Sequence, residues 1–212
     1  MLSLAGIPLR ACDRQEGHPL ILAGGPCAFN PEPLHAFIDA FSIGDGEEST
    51  QEILDAVKAS KAAGESREAL LMRLCQIEGV YVPAFYDAQY LPDGRLASFA
   101  PNRPGVPEVV RKRMVRNLDA APYPEKMIVP FQEIVHDRIM LEVMRGCTRG
   151  CRFCQAGMLY RPVRERSVER LLSLADRLAA STGYEEISLS SLSTGDYSCL
   201  AELSRRLTER FA

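Results

Sequence analysis

The sequence predicts an α/β protein with parallel strands, built in two parts. Three observations carry that reading. Short apolar runs ending in glycine-rich breaks lead into helical patterns twice between residues 19 and 63. A second series of the same kind begins near residue 138. The charge also divides: residues 1–100 hold 14 acids and 7 bases, net −7, and residues 101–212 hold 14 acids and 18 bases, net +4.

In chain order, Pro19 to Ala23 reads as a strand broken by Gly24-Gly25-Pro26. Asn30 then caps a helix to about Ile38, with Pro31 at its first position. Phe41 to Ile43 is a second strand, followed by Gly44-Asp45-Gly46 and a helix from about 48 to 63. Residues 66–77 form an amphipathic helix capped by Ser66, which places Cys75 in a core. Runs at 80–86 and 96–99 flank Leu91-Pro92-Asp93-Gly94, a hairpin signal. Proline-rich, charged residues 101–131 read as a connector holding a short basic helix at about 107–117. A strand at 138–144, a helix at 168–181 capped by Ser167, a strand at 186–189 and a helix at 198–211 complete the pattern. The expected division is 1–78, a linker at 79–128, and 129–212.

The apolar run Ile139 to Met144 leads into Arg145-Gly146-Cys147-Thr148-Arg149-Gly150-Cys151-Arg152-Phe153-Cys154. Three thiols with C-x3-C-x2-C spacing on one loop can face one centre. Structural zinc takes four ligands, usually from two separated pairs, and there is no second pair. Three neighbouring cysteines cannot pair as disulfides without one left over. A cubane iron–sulfur cluster on three thiolates fits better and leaves one iron free for a substrate or cofactor.

This motif, with Phe153 directly before its last cysteine, resembles the radical S-adenosylmethionine superfamily. More narrowly, residues 129–170 resemble the branch whose radical domain follows a cobalamin-binding-like domain. The resemblance implies the C-terminal part of a Rossmann-like (flavodoxin-like) domain followed by the first two βα units of a partial TIM barrel. It implies that Cys147, Cys151 and Cys154 hold a [4Fe–4S] cluster whose fourth iron chelates S-adenosylmethionine. Phe153 would then lie beside the adenine, a plain core aromatic being the other reading. Ser193, Thr194, Gly195 and Asp196 stand where relatives hold the amino group of S-adenosylmethionine, although the common Gly-Gly-Glu form is absent and a helix-capping turn is the alternative. Gly24, Gly25, Gly44 and Gly46 correspond to loops that line a cobalamin nucleotide-tail pocket, although tight turns alone would explain them. His18 and His35 do not match the family's histidine motif, so cobalamin stays an open question. A flavodoxin- or ferredoxin-type electron donor is the implied partner.

The expected function is radical modification of an unknown substrate, methylation included. A methylthiotransferase-like enzyme is an alternative. It would need a second cluster, and Cys12, Cys27 and Cys75 are widely spaced. A zinc-stabilised RNA-binding module is another: seven arginines fall between 145 and 170 against only Glu165 and Glu169. A solvated charged face is the default for such a run, and protein substrates fit as well as RNA. Seven cysteines without a signal-peptide pattern point to reduced thiols in the cytoplasm, and no apolar run is long enough to span a membrane. The first residues lack an earlier strand to pair with, and Arg210-Phe211-Ala212 closes inside a helical pattern. The chain is therefore expected to be a piece of a longer protein.

Overall fold

The computed structural model describes residues 1–132 and 134–211 and divides into two units, Met1–Val115 and Arg116–Ala212. In the first, a three-stranded sheet has β1 (Leu22–Ala23) parallel to β2 (Ala40–Ser42) and β2 antiparallel to β3 (Val80–Tyr81). Asp39, just before β2, is buried, and its Oδ2 accepts from the Ile21 amide at 2.7 Å and from Arg14 Nη1 at 2.8 Å. That carboxylate fixes the approach of β1 to β2. Helix α1 (Gly46–Ala63) carries Glu47 and Glu48 in its first turn, where the helix dipole favours acids, and ends at Gly64 in the left-handed region (φ 63°). Helix α2 (Arg67–Leu74) is capped as expected: Ser66 accepts from the Ala69 amide at 3.2 Å. It stops three residues short of the predicted end, and Cys75 lies in the core, where burial pushes its thiol up. The hairpin forms as β4 (Tyr86–Tyr90) and β5 (Leu96–Pro101), with Gly94 at φ 84° in its turn.

Two predicted helices are absent. Residues 32–34 make only one 3-10 turn. Pro33 contributes to this, because a proline disfavours the α conformation at the residue before it, here Glu32. The first strand–loop–helix repeat therefore lacks its helix, and among the described residues this unit holds a small mixed sheet rather than half of a doubly wound one. The segment at 107–117 is irregular, without a helix, and touches the sheet through one parallel bridge, Gly44↔Arg113. Its backbone joins the end of β2: Arg113 N donates to Ile43 O at 2.8 Å, Asp45 N to Arg113 O at 2.9 Å, and Val115 N to the Asp45 carboxylate at 2.8 Å. These bonds at Arg113 and Val115 take up backbone groups that a helix would need. The hairpin and residues up to 115 pack with the first unit, and residues from 116 pack with the second.

In the second unit, β6 (Ile139–Glu142) pairs in parallel with β9 (Ile187–Ser190), from Ile139↔Ile187 to Glu142↔Ser190. The short helix α3 (Ala156–Leu159) and helix α4 (Val168–Thr182) lie between them, and α5 (Leu200–Phe211) follows β9. The predicted strand at 138–144 divides, because Met144–Arg145 forms a separate strand, β7, antiparallel to β8 (Arg164–Glu165). Ser167 caps α4 through the Arg170 amide at 3.2 Å. Val168, Leu171, Leu172, Leu174, Ala175 and Leu178 are buried at helical spacing against Ile139, Leu141 and Val143. No helix among the described residues is long and apolar enough to cross a membrane.

Glu142 ends β6 between two arginines. Its carboxylate accepts from Arg145 Nε and Nη2, both at 2.9 Å, and from Arg166 Nη2 at 3.1 Å. Burial alone would raise its pKa, but the hydrogen bonds and charges of Arg145 and Arg166 outweigh burial and hold it below its ordinary 4.5. A lowered native pKa adds stability that is complete above the unfolded value and lost as pH falls through the native one. We predict that acid destabilises the second unit below about pH 4.5, and that Glu142→Gln flattens this part of the profile. Urea midpoints against pH for both proteins test it; parallel profiles would refute the linkage. Separately, Leu174→Ala should cost about 3 kcal/mol in the same unfolding experiment, since Leu174 is fully buried.

Candidate iron–sulfur loop

The cysteine loop is closed at its base by strand pairing. Met144 opposes Glu165 and Arg145 opposes Arg164, so residues 146–163 leave and return through one neck. Gly146 makes the neck narrow. It sits at φ 93°, and a Cβ there would lie 2.7 Å from Pro162 O and 2.8 Å from Tyr160 O. The returning limb, which contains a cis Arg161–Pro162 bond, is braced by its own side chains. Arg161 Nε donates to Cys147 O at 3.2 Å, and Arg164 donates to Pro162 O at 3.2 Å and Tyr160 O at 3.3 Å.

Cys147 is buried just above this neck, Cys154 is half-buried, and Cys151 is exposed. Gly150, at φ 66°, bends the chain before Cys151. The Arg149 amide donates to Cys147 Sγ at 3.4 Å. Among the described residues no three His, Cys, Asp or Glu side chains are gathered as a ready metal-holding group, so the three thiols share a loop but not a common point. Metal binding commonly gathers its ligands as it orders the chain. The donor chemistry fits an iron–sulfur cluster: residues 146–163 offer three thiols and contain no histidine, aspartate or glutamate to complete a zinc tetrad.

The second loop lies next door by topology. Glu142 and Ser190 are register partners at the carboxyl ends of parallel strands, so the chains leaving β6 and β9 emerge side by side. After β9, Thr194–Asp196 form a 3-10 turn. Ser191 Oγ and Thr194 Oγ1 share a hydrogen bond at 2.9 Å, and the Ser193 amide donates to Ser191 Oγ at 3.1 Å. A Cβ on Gly195 would meet nothing within 4 Å. Asp196 is bound by Arg149 of the cysteine loop, through Nε at 2.7 Å and Nη2, and by Ser193 Oγ at 2.7 Å. Those hydrogen bonds, Arg149's first, hold its carboxyl below the usual range.

The structure thus brings Asp196 and Ser193 to the cysteine loop. Phe153 is 91% exposed at the loop's apex, which removes the core-aromatic reading. The glycines of the first unit are placed otherwise. Gly24 and Gly25 follow β1, and Gly46 opens α1. Gly44, at φ 111°, has its Cβ position filled by the Arg113 backbone at 2.1 Å, so chain packing accounts for that glycine. Arg149 and Arg161 escaped the sequence reading. Both stood inside a basic run, and nothing local marks partners 47 residues away for Arg149 and 14 for Arg161.

The run itself is mostly engaged internally. Arg145, Arg166 and Arg170 face carboxylates, Arg149 holds Asp196, and Arg161 and Arg164 brace the loop; Arg152 has no such contact among the described residues.

Comparison with known proteins matches both units. Residues 1–83 match the family described as Radical SAM proteins, N-terminal, and residues 141–211 match the Radical SAM superfamily. An uncharacterized protein of Methanocaldococcus jannaschii is 26% identical over 194 residues, covering 90% of this chain. The chain spans only 36% of that relative's length. With an N-terminal match preceding a radical domain that contains the three-cysteine loop, the chain belongs to the radical S-adenosylmethionine superfamily.

Proposed function

We propose that the protein is a radical S-adenosylmethionine enzyme in which Cys147, Cys151 and Cys154 hold a [4Fe–4S] cluster. Such a cluster, when bound, supplies the electron that splits S-adenosylmethionine and yields a 5′-deoxyadenosyl radical able to take hydrogen from an unreactive carbon. The observation that carries this reading is the pairing of two loops at the ends of adjacent parallel strands, one of which offers thiols as its only metal-binding side chains. The chain's own residues act by position. The β7–β8 neck anchors the cysteines, and Arg161 holds the Cys147 carbonyl. Ser193 and Thr194 present hydroxyls beside Gly195, where the space is open to a ligand. Phe153 stands exposed to lie against the adenine.

In this reading β6, α4, β9 and α5 are the first two βα units of a partial barrel, a flavodoxin- or ferredoxin-type protein delivers the electron in the cytoplasm, and the product is a modified carbon, methylation included, on RNA or protein. The reading needs no corrinoid. A methylthiotransferase is less well supported, because Cys75 is buried in the first unit's core while Cys12 and Cys27 are exposed. An RNA-binding zinc module is weakened by the arginines already engaged internally.

Anaerobic reconstitution of the chain should load about four irons and four sulfides, with visible absorbance bleached by dithionite. Cys154→Ala should lose the iron and keep its circular dichroism. One zinc and no iron in the wild type, or full iron in the variant, would overturn the assignment.

A further inference from the structure

The two loops at the strand ends are fastened at different levels. Near the stem, Glu165 accepts from the Ser198 amide at 3.0 Å, and Tyr197 donates from its hydroxyl to Arg166 O at 2.8 Å. Neither bond reaches the limb that carries the cysteines. Arg149 does, because it lies between the first two cysteines and grips Asp196. The grip is two-pronged: Nε meets Oδ2 and Nη2 meets Oδ1, while Ser193 Oγ also donates to Oδ2. Both carboxylate oxygens are thus engaged, and the negative charge is matched. An Asp196 so held is a poor acceptor for a ligand's amino group, the role expected of it from sequence. Ser191 and Thr194 bond to each other within the same turn, so the arginine grips a small internally bonded unit.

An isolated exposed ion pair contributes little, since solvent screens it and two side chains lose freedom. Arg149 is 63% exposed at its side chain and Asp196 25%. Bidentate geometry and the third bond distinguish this pair, because a planar guanidinium fixes direction as well as distance.

We propose that Arg149 and Asp196 are positioning residues, forming a clasp that sets the cysteine loop against the 191–197 turn and retards loss of the metal group between them. What the clasp serves rests on the function proposed above. The clasp itself does not, and can be tested on the chain before any iron is added.

Hydrogen–deuterium exchange is the first arm. Arg149→Gln should raise exchange of the amides at 191–197 roughly fivefold, and Asp196→Asn should raise exchange at 147–154 by a similar factor. The double variant should match the singles, because each removes the same interaction. Arg149→Lys, which keeps the charge and loses the fork, should fall between. After anaerobic reconstitution, both single variants should load full iron yet release it to a chelator roughly fivefold faster than wild type. Unchanged exchange in the opposite loop, additive effects in the double variant, or a uniform rise across the whole unit would overturn the clasp. A wild type that takes up no iron would instead defeat the proposed function, and the exchange arm would still decide the clasp.

Discussion

A guanidinium removed from water must find partners for its donors, since an unpaired buried charge costs several kcal/mol. Arg166 is 2% exposed, and the second unit is arranged around meeting that demand. Its Nε donates to Glu142 O at 3.1 Å, Nη1 to Leu118 O, and Nη2 to the Glu142 carboxylate, with the guanidinium over the Tyr123 ring. The backbone joins in: Arg166 N donates to Val143 O at 2.9 Å, and its carbonyl accepts from Tyr197. One residue therefore ties the entering chain at 118–123, the end of β6, the exit of the cysteine loop and the turn after β9. The neck of the cysteine loop is short, two residues on each side, and stands because this hub fixes its flanks.

The first unit solves a similar problem in the same way. Arg14 is 6% exposed and donates to the carbonyls of Pro8, Leu9 and Phe37 and to Asp39. The strands of its three-stranded sheet are two or three residues long, too short for ladder bonds alone to hold the irregular N-terminal chain. A buried arginine with backbone acceptors supplies order where regular structure is sparse. Such centres are sensitive in one direction: removing a partner strands a charge, which costs more than the pair itself contributes.

The same logic separates what the sequence disclosed from what it hid. Helix α4 was legible because its apolar spacing and its Ser167 cap agree. The hairpin was legible from Asp93-Gly94, and the three thiols from spacing alone. The segment at 107–117 misled because its basic pattern is local, whereas its pairing partner, the end of β2, lies about 70 residues earlier. Residues 31–38 misled because Pro31 suits a helix start while Pro33, two places on, does not sustain one. Asp196 was read from the sequence as a ligand contact, and in the structure Arg149 binds it. Its residue type signalled hydrogen bonding, and no pattern could say that the donor would be Arg149 rather than a ligand.

That substitution of partner changes what the basic run means. Charge counted along a chain treats each arginine as available to a polyanion, but availability is decided by contacts. Arg166 is buried, Arg145 and Arg149 hold carboxylates, and Arg161 and Arg164 hold carbonyls of the loop that bears the thiols. A guanidinium suits this work because it stays charged and offers several directed donors, so it can bind carbonyls that no regular ladder reaches. A loop of about eighteen residues without strands of its own needs such braces to present three sulfurs in a fixed order. The density of arginine around the cysteines is thus accounted for by holding the loop, and the exposed apex at Arg152 and Phe153 is what the loop is left to offer outward.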